Sequence, residues 1–193
     1  NLGEADSPLL PAYLELGIAH LLAGLDPVLF VIALMVLITD RRRLVATITA
    51  FTIAHSITLA LSTFELLKIS QSAVEALIAL SLLFMAVEML SKTPSLTANY
   101  PWLISFGFGL IHGLGFAGVL REVRLPDEAA LWALLLFNIG LEIGQLMVVA
   151  ACLFMVLIVH YWRTKITVVP DMSLHNFLPS YFIGPISVWW ILQ

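Results

Sequence analysis

Histidines and acids lie inside otherwise apolar stretches that read "GIAHLLAGLDPVLF", "FTIAHSITLA", "VEALIALSLLFMAVEML", "FGFGLIHGLGFAGVL" and "LLLFNIGLEIGQL". Their ionisable members, His20, Asp26, His55, Glu75, His112 and Glu142, would each cost several kcal/mol if left in hydrocarbon, so they are expected to face a protein interior as a functional site. Imidazole and carboxylate together suit nickel, cobalt, zinc, copper or iron, whereas a hard magnesium site seldom uses several histidines. The same groups would also serve a proton relay. Spacing alone leaves both chemistries open.

The elements that carry these groups differ in what they add. In the first stretch Pro27 follows Asp26 directly and lacks a backbone donor, so the helix should kink or break there and free carbonyls for a cation or water. His20 and Asp26 are six residues apart and share a site only if that distortion occurs. The bland alternative is that Asp26 caps the second half of a broken helix. In the second stretch Thr52 and Ser56 lie within a turn of His55, although such hydroxyls usually bond back to their own helix. Glu75 and Glu88 are thirteen residues, or about 20 Å, apart and cannot share a site. Glu75 is expected to guard an external entrance, and Glu88 to reach water or Lys92, four residues on. Asn138, Glu142 and Gln145 follow one face of the fifth stretch, as ligands and orienting groups or as a structural ladder. The glycines around His112 suit close helix packing, with Gly109 and Gly113 at small-xxx-small spacing. "GFGLIHGLG" has no lysine, so it makes a poor phosphate loop.

Composition dictates the setting. With 193 residues, 61% hydrophobic and 11% charged, at a mean hydropathy of +1.01, the chain reads as an integral membrane protein. A net charge of −4 and the lack of a basic stripe beyond Arg41, Arg42 and Arg43 exclude a nucleic-acid partner. Cys152 stands alone in an apolar run, so neither an internal disulfide nor a Cys-x-x-Cys site is expected.

The runs are continuously apolar without period-two alternation, which favours an all-α polytopic helix bundle over a barrel. Six spans of about 20 residues each are expected. They run from Leu14 to Ile38, Leu44 to Phe64, Ser72 to Leu90, Trp102 to Leu120, Ala129 to His160 and Phe177 to Gln193. The last is interrupted by Gly184 and Pro185 and closed by Trp189 and Trp190, aromatic residues suited to an interface. Residues 1–13 form an external N-terminal segment and residues 14–193 a single transmembrane domain. Six basic residues (Arg41, Arg42, Arg43, Lys92, Arg163, Lys165) fall on one side and three (Lys68, Arg121, Arg124) on the other, so the first group is expected in the cytoplasm and both termini outside.

"GIAHLLAGLDPVLF", "FTIAHSITL", "VEALIALS", "FGLIHGLGFA" and "FNIGLEIGQL" resemble, in this order, the signature segments of HupE/UreJ-type membrane proteins, in particular the second HupE/UreJ family. The resemblance covers about residues 17–148. It implies a bacterial inner-membrane permease for nickel or cobalt, with the divalent metal as substrate. Carried over motif by motif, it marks His20, Asp26, His55, His112 and Glu142 as metal-binding positions and Glu75, Asn138 and Gln145 as entrance or orienting ones. The family pattern usually reads Asp-His in the first motif, where this chain has Asp26 and Pro27. That departure points to weakened metal affinity, a changed ion preference or a member that no longer transports. Two rival functions stay open. One is an intramembrane zinc hydrolase, with bound zinc held by three histidines and a water activated by Asp26 or Glu142. The other is a non-transporting accessory subunit whose partner is a membrane complex or a second copy of the chain.

Overall fold

The computed structural model describes residues 9–67, 69–91, 96–115, 127–165, 183, 185 and 187–189. Among them every regular element is a helix: α1 Leu9–Ala23, α2 Leu25–Leu37, α3 Arg41–Thr63, α4 Gln71–Leu90, α5 Leu96–Asn99, α6 Pro101–Gly115 and α7 Asp127–Lys165. The chain is therefore an all-α bundle. The first helix begins at Leu9, inside the segment expected to be a tail.

Among the described residues three helices are long and apolar enough to cross a membrane: α3, α4, and α7 over Ala130–Val159. A fourth span forms if α1 and α2, bent by 73°, are taken together. The fifteen described residues of α6 reach roughly 22 Å, and the expected continuation to Leu120 lies outside the described residues. So does most of the expected sixth span. At 39 residues, or roughly 58 Å, α7 far exceeds a hydrocarbon core of about 30 Å.

The break in the first span follows from local chemistry. Gly24 is extended (φ −81°, ψ 122°), and α2 restarts at Leu25 with Asp26 and Pro27 in its first turn, where a missing N–H costs nothing. A methyl at Gly24 would stand 2.8 Å from the Pro27 ring, so the glycine and the proline are fitted to one another. The kink expected beside Asp26 is present, displaced two residues toward the N-terminus. Elsewhere the ends are conventional. Asp40 caps α3, accepting from the Arg42 and Arg43 amides at 2.8 and 3.3 Å. The other end of α3 closes with Glu65 in the left-handed region (φ 58°) and Leu66 N–H bonded to Leu61 C=O at 2.9 Å, a Schellman-type stop without the usual glycine.

Backbones approach closely in two seams. A methyl at Gly140 would strike the Leu14 carbonyl and one at Gly144, a turn further on, would meet Leu21, so α1 and α7 run parallel. Methyls at Gly109 and Gly113 would strike the Phe51 and His55 carbonyls, so α3 and α6 run parallel as well. Across α4 and α6 the pairs Ser81–His112 and Phe84–Phe108 show opposite directions. Between α3 and α7, His55 meets Asn138 while Thr52 meets Gln145 further along, again opposite. One face of the bundle thus collects the starts of α1, α4 and α7 and the ends of α3 and α6. The other collects the starts of α3 and α6 and the ends of α4 and α7, with Arg41, Arg42, Arg43, Arg163 and Lys165. Inside lie Phe30, Phe51, Phe137, Leu82, Met85 and Leu141, all at most 2% exposed. Outside, Ile53, Leu80, Trp102, Leu131, Trp132 and Phe154 are more than half exposed, a surface suited to lipid rather than water.

Candidate metal-binding cavity

A cavity of about 200 Å³ opens between the break in the first span and helices α3, α4, α6 and α7. His20, Asp26, His55, Glu75 and His112 all line it. The 73° bend brings His20 and Asp26 to a common space that a straight helix would deny them. Gln71 and Gly115, at the start of α4 and the end of α6, place its mouth toward the face that carries the α4 N-terminus. Glu75 is exposed there, while His20 and Asp26 are half-buried and His55 and His112 buried.

The two deep histidines are held in opposite senses. Asn138 donates its amide to Leu134 C=O at 2.8 Å, so its Oδ1, 3.0 Å from His55 Nδ1, accepts. His55 must then carry its proton on Nδ1 and its lone pair on Nε2. Ser81 donates its hydroxyl to Ile78 C=O at 2.6 Å and sits 3.2 Å from His112 Nε2. With its one proton committed, Ser81 accepts, leaving the His112 lone pair on Nδ1. Each ring thus has one nitrogen oriented by a neighbour and one basic nitrogen available to a cation, an arrangement typical of metal-ligating histidines.

The two rings do not share one interface. His55 is anchored to α7 and His112 to α4, and Phe51 packs against both, with ring centroids 6.1 and 5.3 Å away. Among the described residues no three His, Cys, Asp or Glu side chains stand close enough to hold one ion. The cavity gathers donors around its walls without closing them on a point.

The remaining expected positions lie on the α3–α7 seam. Glu142 Oε1 accepts from the Thr49 hydroxyl at 2.7 Å, and Gln145 Oε1 from the Thr52 hydroxyl at 2.9 Å. Glu142 lines a separate crevice of about 290 Å³ with Thr52, Ser56 and Asn138, outside the histidine cavity. Asn138 alone of the three touches a cavity histidine. The sequence reading passed over Ser81 and Gln71. Gln71 bridges Glu75 Oε1 at 3.0 Å and Gly115 C=O at 3.2 Å across the mouth, and its spacing of four from Glu75 was the available signal. Glu88 Oε1 is buried without a hydrogen-bond partner, and Lys92, the partner expected for this residue besides water, lies outside the described residues.

A helical bundle with membrane-length apolar segments around an imidazole and carboxylate cavity defines a class of protein. The family follows from the sequence as a whole: the chain belongs to the HupE/UreJ protein family, whose sequence model matches residues 3–193. The match extends well beyond the motif segments at both ends. This family is membrane-associated and is linked to nickel or cobalt transport, or to accessory roles for urease and hydrogenase. Neither curated proteins nor solved structures yield a match.

Proposed function

We propose that the chain is a secondary permease for a divalent transition metal, nickel or cobalt, and that the cavity is where the ion is received. One observation carries this reading: five donor side chains from the first span, α3, α4 and α6 line a single cavity, and its two deepest imidazoles are pre-oriented by Asn138 and Ser81. Donors spread around a wall suit successive, incomplete coordination, which transport requires because an ion held too well is not released. The same dispersal disfavours the zinc-hydrolase reading, which needs three ligands in one coordination sphere. By the excess of basic residues, the face bearing Arg41, Arg42 and Arg43 is cytoplasmic and the cavity mouth external.

The test is uptake of radioactive nickel or cobalt by proteoliposomes. His55→Ala and His112→Ala should each lower the initial rate by about 10–100-fold. Wild-type rates in both variants would defeat the permease and favour an accessory role.

A further inference from the structure

Three helices repeat one pattern along the axis of the bundle. On α3 it is Thr47, Phe51, His55; on α6 Ser105, Phe108, His112; and on α4, running the other way, Glu88, Phe84, Ser81. Steps of three or four residues keep each trio on one face of its helix. The inter-helix pairs fix the register. Phe51 meets Gly109 and His55 meets Gly113, which places Thr47 level with Ser105. Ser81 meets His112 and Phe84 meets Phe108, which places Glu88 at the same level. The three form a layer about 10–12 Å from the histidines, toward the opposite face.

Phenylalanines fill the space between. Phe30 packs against Phe51 and Phe108 with centroids 4.9 and 5.9 Å apart, and Phe108 against Phe84 at 5.6 Å. Phe30 and Phe51 are fully buried.

The polar layer beyond them is unsatisfied. Thr47 Oγ1, Ser105 Oγ and Glu88 Oε1 are buried with no hydrogen-bond partner, and Thr47 and Ser105 are 1% and 0% exposed. Other hydroxyls of the bundle do not behave this way: Ser56, Thr58 and Ser81 bond back to carbonyls of their own helices, Ser187 to Ile183 C=O, and Thr52 to Gln145. Leaving one buried polar group unpaired costs about 1–3 kcal/mol, and a carboxylate more, so three at one level call for a ligand. Thr97 on α5, also buried and unpartnered, extends the series toward the far face, whereas Thr63 lies apart at the other end of α3.

Resting on the permease reading, we propose that Thr47, Ser105 and Glu88 form a second cation station made only of oxygen, which holds the divalent ion after it passes the phenylalanine layer and before it leaves. Hydroxyl and carboxylate oxygens hold a transition metal less strongly than imidazole does, so the path descends from firmer to looser ligation.

Cobalt(II) titration of the purified full chain, with absorption distinguishing nitrogen-bearing from all-oxygen ligation, is the test, paired with cobalt uptake by proteoliposomes. Wild type should show two binding events. The weaker, all-oxygen event should vanish in Glu88→Gln and weaken severalfold in Thr47→Val and Ser105→Ala, while the first event stays and uptake falls at least tenfold in Glu88→Gln. His55→Ala should remove the first event and spare the second. The two conservative variants carry the test if Glu88→Gln does not fold. A single histidine-dependent event in wild type, or a second event indifferent to all three variants, overturns the station and leaves the permease standing. No cobalt bound at all overturns both.

Discussion

The two seams that α3 makes treat polar side chains in opposite ways. Toward α7 they are paired: Thr49 with Glu142, Thr52 with Gln145, and His55 with Asn138, which itself bonds Leu134 C=O. Toward α6 the seam is closed by glycines set against backbone carbonyls; Thr58 there bonds only within its own helix, and the hydroxyls of Thr47 and Ser105 are left unpaired. A polar residue in an apolar helix therefore has two distinct uses. Where its capacity is met by a neighbouring helix it fixes geometry, and where it is not, as at Thr47 and Ser105, the proposed second station would supply the missing partner. His55 stands at the junction, with one nitrogen spent on the first use and the other available for the second.

The glycine seam should be the easier to break. Any side chain at Gly113 meets the His55 carbonyl and the Thr58 hydroxyl, and helix backbones cannot yield as side-chain tips do. Gly113→Leu should cost at least the roughly 1–3 kcal/mol typical of overpacking. Thermal unfolding in detergent would show it, against a control at Gly107, where a methyl meets nothing within 4 Å. There Gly→Ala should be neutral or stabilising by up to about 1 kcal/mol, as expected in a helix interior. Equal melting of Gly113→Leu and wild type would mean that the α3–α6 approach is looser than described.

The paired seam should yield less stability and more chemistry. Asn138→Leu leaves the His55 Nδ1 proton without an acceptor, at about 1–3 kcal/mol. It also frees the ring to adopt the other tautomer, so metal affinity should fall about 10–100-fold. Titration of the variant beside its melting curve separates the two effects. Lost stability with unchanged affinity would reduce Asn138 to a packing residue and bring both seams under one rule.

Much of this contrast was legible in the sequence, and the part that was not has a physical reason. Apolar run lengths located α3, α4 and most of α7 within a few residues, because a hydrocarbon core demands a certain length whatever the neighbours are. Pro27 announced the break that brings His20 and Asp26 together, since its ring and its missing donor act locally. A single sequence does not fix how a helix is rotated: Glu142 was grouped with His55 and His112 by its motif, yet the rotation of α7 turns it to Thr49 and away from the cavity. Rotation is set by packing, here by Gly17, Gly140 and Gly144 against α1, and a single sequence does not say which glycine meets which helix. The place of Glu88 level with Ser105 likewise follows only from the α4–α6 register, which no spacing within α4 encodes.

Glu142 gives the smallest effect and the sharpest separation of the two uses. Glu142→Gln keeps an oxygen to accept from the Thr49 hydroxyl and removes only the charge. If the residue serves the paired seam, stability should change by no more than about 0.5 kcal/mol and cobalt affinity in the histidine cavity should not move. If it ligates the ion, as the resemblance implies, affinity should fall by about tenfold or more, because a donor is gone from the coordination sphere. Direct cobalt titration, with Glu142→Leu as the variant that also breaks the Thr49 bond, decides between these. Glu142→Leu should cost about 1–3 kcal/mol through the stranded Thr49 hydroxyl and still spare the cavity. A matched loss of cobalt affinity in both variants would bring Glu142 into the ion's path, and the division between the α3–α7 and α3–α6 seams would have to be redrawn around a conformation in which α7 rotates.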